Sequence, residues 1–150
     1  MVSVDTLHFQ LFIGSIMVIL SVVFHIVTLI GMVEVLHWLK QHLRFRIQAL
    51  NATVMVTFSG LFILGIHIAE IWIWAALFIK LGATPDLESA LYFSTISATT
   101  VGYGDIVVDV DWRLLGGFES MFGIVAFGIS TAFLIAVLRT SVSRFFTDRG

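Results

Sequence analysis

Between Leu7 and Val33 this chain has no Asp, Glu, Lys or Arg, from Leu50 to Ile79 it has only Glu70, and from Leu114 to Leu138 only Glu119. Each run exceeds the roughly 20 apolar residues that carry a helix across a bilayer core. A backbone in lipid must satisfy its own N–H and C=O groups, so runs of this kind fold as helices. Hydrophobic residues make up 59% of the chain and charged residues 12%, with a mean hydropathy of +1.04, which excludes an ordinary soluble domain. The expected class is an all-α integral membrane protein with three transmembrane helices. The first run lacks a basic leader and is about twice the length of a signal-peptide core, so it is expected to stay in the mature protein. With no cysteine, neither a disulfide nor a thiolate metal site can form.

The charges set an orientation. Lys40, Arg44 and Arg46 fall in the connector from Glu34 to Asn51, beside His37, Trp38 and His42, a composition suited to a headgroup surface. Arg139, Arg144 and Arg149 fall in the tail, and only Lys80 and Arg113 flank the segment between the second and third runs. Basic residues concentrate on the cytoplasmic side, so the N-terminus is expected outside and the C-terminus inside. Arg44 and Arg46 read as topology anchors, because voltage-sensing helices carry several arginines three apart within the membrane. His25 reads as a packed or interface histidine. His67 and Glu70 are three apart and share a helical face. Two readings of this pair stay open: a structural tie, with Glu70 bonded to His67 or to Ser94, Ser97 or Ser120, and a pH-sensitive pair. Two ligands at this spacing are too few for a metal.

Between the second and third runs, Thr84 is expected to cap a helix starting at Pro85, with Asp86 and Glu88 complementing its positive end. Running to Ala98, it would be roughly 20 Å long at 1.5 Å per residue, too short to span. It leads directly into Thr99-Thr100-Val101-Gly102-Tyr103-Gly104-Asp105. Alternating glycines allow a backbone that turns consecutive carbonyls toward one axis, which most side chains forbid. Asp86, Glu88, Asp105, Asp109 and Asp111 make this end of the molecule acidic, which concentrates cations. In the third run Ile124, Phe127, Thr131 and Ile135 recur at steps of three and four, one face suited to lining a cavity. Gly116, Ser120 and Gly128 offer close-packing positions, and Gly123 and Gly128 are candidate hinges.

The string TTVGYGD resembles the selectivity filter of the potassium channel family, and Gly123 to Ala132 resembles the inner helix of its simple bacterial members. The resemblance covers residues 52–138: an outer helix at 52–81, a re-entrant pore helix at 85–98, the filter at 99–105 and an inner helix at 113–138. Residues 1–51 would add an N-terminal transmembrane helix and basic cytoplasmic connector, and 139–150 a short cytoplasmic tail. The resemblance implies that K⁺ is held by the carbonyls of Thr100, Val101, Gly102 and Tyr103 and by the Thr100 hydroxyl. Thr99, Gly104, Asp105 and Tyr92 would support them, with Tyr92 donating a hydrogen bond to Asp105. Three departures stand out. Tyr92-Phe93 replaces the frequent tryptophan pair, Val108 stands where a proline usually follows the filter, and the inner-helix glycines arrive one residue early. The expected function is passive, K⁺-selective conduction through a homotetramer in lipid, in a bacterial cell membrane. The expected partners are further copies, lipid and K⁺, without a cofactor. The alternatives are a non-selective cation channel and a regulatory subunit of a hetero-oligomeric channel. Nothing in the residues points to an enzyme or to nucleic-acid binding.

Overall fold

The computed structural model describes residues 3–42 and 48–147. They form four α-helices: α1 (Val4–His42), α2 (Gln48–Lys80), α3 (Leu87–Ala98) and α4 (Arg113–Thr147), with a 3-10 turn at Val110–Trp112. The fold is all-helical. Three stretches, Val4–His42, Ala49–Lys80 and Val110–Ser141, are long and apolar enough to cross a membrane, while α3 has 12 residues, about 18 Å at helical rise. The long helices continue beyond the apolar runs: α1 ends at His42, α2 begins at Gln48, and α4 reaches Thr147 rather than stopping at 138. The basic anchors Arg44, Arg46 and Arg149 lie outside the described residues, as does the side chain of Arg144.

Local chemistry explains how α2 hands over to α3. Gly82 takes a φ of 65°, its N–H donates to the Ile79 carbonyl, and the Ala83 N–H donates to the Phe78 carbonyl. This is the two-bond stop of a helix that ends on a left-handed glycine, and the buried Ala83 packs in one cluster with Phe78, as such stops favour. The expected cap is corrected by two residues. Asp86, in an extended conformation, accepts from the Ser89 N–H at 2.8 Å and from the Ser89 hydroxyl at 3.1 Å, so α3 begins at Leu87. A carboxylate can take both donors of Ser89 at once, whereas the Thr84 hydroxyl is buried without a partner.

Helix contact in lipid depends on close packing, since hydrocarbon is as apolar as the side chains. Here bulky groups lie on glycines. A Cβ added to Gly14 of α1 would lie 2.7 Å from Cγ of Phe118 on α4, and one added to Gly116 would lie 2.7 Å from Cζ of Phe93 on α3. Around these crossings Trp74, Phe78, Phe93, Leu115 and Phe122 form the main buried cluster, with Phe78 and Phe93 edge to face at 5.2 Å. Val108, in the place of the expected proline, is buried in the same cluster. Next to it the Asp109 N–H bonds the Ala83 carbonyl, tying the strand after Asp105 to the turn before α3. On α1 the buried residues Gln10, Gly14, Ser21, His25, Leu29 and Met32 make one stripe. Gln10 serves α4 directly: its Oε1 accepts from the Leu114 N–H, one of the first-turn donors a helix cannot satisfy itself.

Candidate functional site

The segment after α3 is built onto the helix end. Thr99 caps α3 and its hydroxyl donates to the Thr95 carbonyl, the Thr100 N–H bonds Ser97 O at 3.0 Å, and the Gly102 N–H reaches back to Ile96 O at 3.0 Å. The chain therefore reverses over the C-terminus of α3, whose unsatisfied carbonyls carry partial negative charge. Along it φ is 61° at Thr100, 52° at Gly102 and 76° at Gly104. Thr100 is the one non-glycine residue with positive φ among the described residues. Positive φ thus alternates with ordinary φ from 100 to 104, a backbone that glycine adopts readily and most other residues do not. A threonine held there stores strain, and such strain gathers at functional sites.

The Tyr92 hydroxyl donates to Asp105 Oδ2 at 2.7 Å, as the residues led one to expect, and Asp105 Oδ1 accepts from the Ile106 N–H at 3.0 Å. The Tyr92 bond holds the Asp105 carboxyl below the usual carboxylate range, and the same bond raises the Tyr92 phenol. In the single chain Val101 is 50% exposed and Tyr103 75%, so among the described residues no element covers the segment.

On α4, Ile124, Phe127, Thr131 and Ile135 lie on an exposed face, and the Thr131 hydroxyl turns back to the Phe127 carbonyl. Phe127 also holds its ring 4.5 Å from that of His67. Of the two candidate hinges, Gly128 has open space around it and Gly123 is a crossing point. A Cβ on Gly123 would lie 2.8 Å from the carbonyl carbon of Ala98 and closer still to its oxygen. Helix α4 runs unbroken through both.

His67 and Glu70 are brought together, but with partners the residue pattern did not show. Glu70 Oε1 lies 2.8 Å from Nδ1 of His25 on α1, and Oε2 lies 3.2 Å from His67 Nδ1 without hydrogen-bond alignment. Both imidazoles then meet Ser130 on α4, His25 Nε2 at 3.0 Å and His67 Nε2 at 3.2 Å. The expected partners Ser94, Ser97 and Ser120 do not bond Glu70: the Ser94 hydroxyl is buried without a partner and Ser120 turns back to Gly116 O. His25 was legible in the sequence only as a packed or interface histidine of the first run, because nothing along the chain joins it to Glu70. Glu119 is fully buried with no hydrogen bond to either carboxyl oxygen. It lines a small cavity with His67, Glu70, Thr99 and Phe127, immediately beneath the reversed segment.

Comparison with protein families matches residues 66–140 to a family described as "Ion channel". No curated protein and no solved structure matches. The matched stretch is half the chain and takes in the later part of α2, all of α3, the TTVGYGD segment and α4 as far as Thr140, on a scaffold whose three long helices can each cross a bilayer. The chain belongs to the ion channel family and is an integral membrane protein.

Proposed function

We propose that this ion channel is selective for K⁺ and conducts passively as a homotetramer. One observation carries the reading: the TTVGYGD string holds positive φ at Thr100, Gly102 and Gly104, the alternation a carbonyl-lined ion path requires. Each chain would contribute carbonyls of Thr100, Val101, Gly102 and Tyr103 and the Thr100 hydroxyl, and K⁺ would exchange its water for these oxygens at several successive sites. One strand cannot encircle an ion. The exposure of Val101 and Tyr103 fits side chains that neighbouring copies would cover, and that of Ile124 and Ile135 on α4 fits a face turned toward a common axis. The C-terminus of α3 directs its partial negative charge at the cavity below, and Asp86, Glu88, Asp105, Asp109 and Asp111 enrich cations at the mouth. In this reading α3 is the pore helix, α2 and α4 are the outer and inner helices, and α1 is an addition to the pore unit.

Purified protein in liposomes, assayed for K⁺ against Na⁺ flux, tests the proposal. Strong preference for K⁺ supports it, equal flux indicates a non-selective channel, and no flux from assembled protein indicates a regulatory subunit. The proposed orientation places the N-terminus outside a bacterial cell membrane. Since the chain has no cysteine, Ser3→Cys is expected to label with an impermeant thiol reagent on intact cells and Ser143→Cys is not; the opposite pattern inverts the topology.

The tie behind the filter has a pH signature of its own. A carboxyl whose folded-state titration lies below the unfolded one contributes stability above the unfolded Asp range and loses it as pH falls through the folded value. Tyr92→Phe is therefore expected to lower the stability of the conducting state at neutral pH and to flatten its loss on acidification. Single-channel open times from pH 7 down to pH 4 measure this, and parallel profiles for the two proteins would remove the Tyr92–Asp105 bond from the account.

A further inference from the structure

Among the described residues, His25 of α1 and His67 and Glu70 of α2 form a buried ionisable cluster that Ser130 joins to α4. We infer that His25, His67 and Glu70 form a binding site for a divalent d-block cation of the zinc class, which fastens α1 to the rest of the channel. Two imidazoles and one carboxylate are the donor set of a three-ligand zinc site with one position left open. One ligand atom from each residue lies within 4.8 Å of the other two. Tetrahedral ligands with bonds of about 2.0–2.2 Å stand roughly 3.3–3.6 Å apart, so the 3.2 Å between His67 Nδ1 and Glu70 Oε2 is close to that separation and the 2.8 Å between His25 Nδ1 and Glu70 Oε1 would open by about half an ångström around an ion.

Three further observations point to a ligand rather than to a self-contained polar knot. Glu70 Oε2 is buried and has no hydrogen bond, an orphaned acceptor 3.2 Å from His67 Nδ1. Buried polar groups of this kind are rare enough to require an explanation. Next, the outer nitrogens of both histidines converge on one hydroxyl, Ser130 Oγ. A neutral pair can meet this hydroxyl only with Ser130 donating to one Nε2 and accepting from the other, which leaves the second histidine with a bare Nδ1; if that histidine is His67, two lone pairs face each other at 3.2 Å across to Glu70 Oε2. When a cation takes both Nδ1 lone pairs, each Nε2 carries its hydrogen and Ser130 Oγ accepts from both. This is the outer-shell arrangement that fixes metal-bound histidines. Finally, a small cavity lies beside His67 and Glu70 and is lined also by Thr99 and Glu119, so the donor set borders open space.

The consequence is structural. His25 comes from α1, His67 and Glu70 from α2, and Ser130 from α4, so the bound ion would link the added helix to the face of α4 next to Phe127. The experiment is equilibrium dialysis of chelator-stripped, detergent-purified protein against ZnCl₂, with zinc counted per chain. Wild type is expected to bind one high-affinity zinc per chain, and His25→Ala and Glu70→Gln to lose it. The exposed His8, His37 and His42 are present in every variant, so zinc held at the surface cancels in the comparison. Ser130→Ala leaves all three ligands in place and is expected to weaken the site by about 10- to 100-fold without removing it. Should His25→Ala fail to assemble, wild type against Ser130→Ala decides. A wild-type zinc content no higher than that of His25→Ala, or an affinity unmoved by Ser130→Ala, overturns the site. Zinc counting does not depend on conduction, so its result stands apart from the K⁺ flux assay.

Discussion

Replacing Gly102 by Ala is expected to abolish K⁺ selectivity while leaving the helices in place. At φ 52° the added Cβ would meet no atom within 4 Å, so the cost is torsional and not steric crowding. An L-residue in the left-handed region costs roughly 1–2 kcal/mol, and four copies around one axis would together pay on the order of 4–8 kcal/mol. In the proposed tetramer the strand would escape most of this by flipping a peptide unit, which would take one ring of carbonyls off the ion path. A tenfold change in relative permeability needs only about 1.4 kcal/mol, so even partial relaxation is enough to erase discrimination. Reversal potentials in mixed K⁺ and Na⁺ measure the result. Gly65→Ala is the control, since Gly65 lies within α2 with nothing within 4 Å and gains helix propensity from the change. Unchanged selectivity in Gly102→Ala would falsify the filter assignment.

The second large effect is expected at Gly123, for the opposite reason. There the torsion is helical and the space is lacking, because the new Cβ would fall on the carbonyl of Ala98 at the end of α3. Backbone cannot swing aside as a side chain does. Helix α4 would have to withdraw from α3, at a cost of about 1–3 kcal/mol or more per chain, and would displace the cap residue Thr99 from which the filter strand departs. Gly123→Ala is expected to lower the thermal midpoint of the assembled protein by several degrees and to reduce conduction, whereas Gly128→Ala, in open space, should do neither. Equal midpoints for the two variants would show that the α3–α4 crossing is looser than described.

Much of this molecule was readable along the chain because its signals are local. The three charge-poor runs had to become helices, since lipid offers their backbone no other partner. Gly82 ends α2 and Asp86 starts α3 through bonds spanning three to five residues, and the only misreading there was which of two neighbouring polar side chains made the cap. The left-handed torsions at Gly102 and Gly104 follow from residue type, while the Tyr92–Asp105 bond was implied by the resemblance of the stretch to a channel filter.

What the residues could not convey is which side of each long helix faces protein. In water a polar stripe marks the outer face, but here the lipid-facing and helix-facing sides are equally apolar, so no periodicity reveals the rotation. Only the packed structure therefore decides that Gln10 caps α4, that Gly123 lies on the Ala98 carbonyl, and that His25 of α1 meets Glu70 of α2 and Ser130 of α4. These contacts depend on how far each helix is turned about its own axis, and that is settled by close packing between helices distant in the chain.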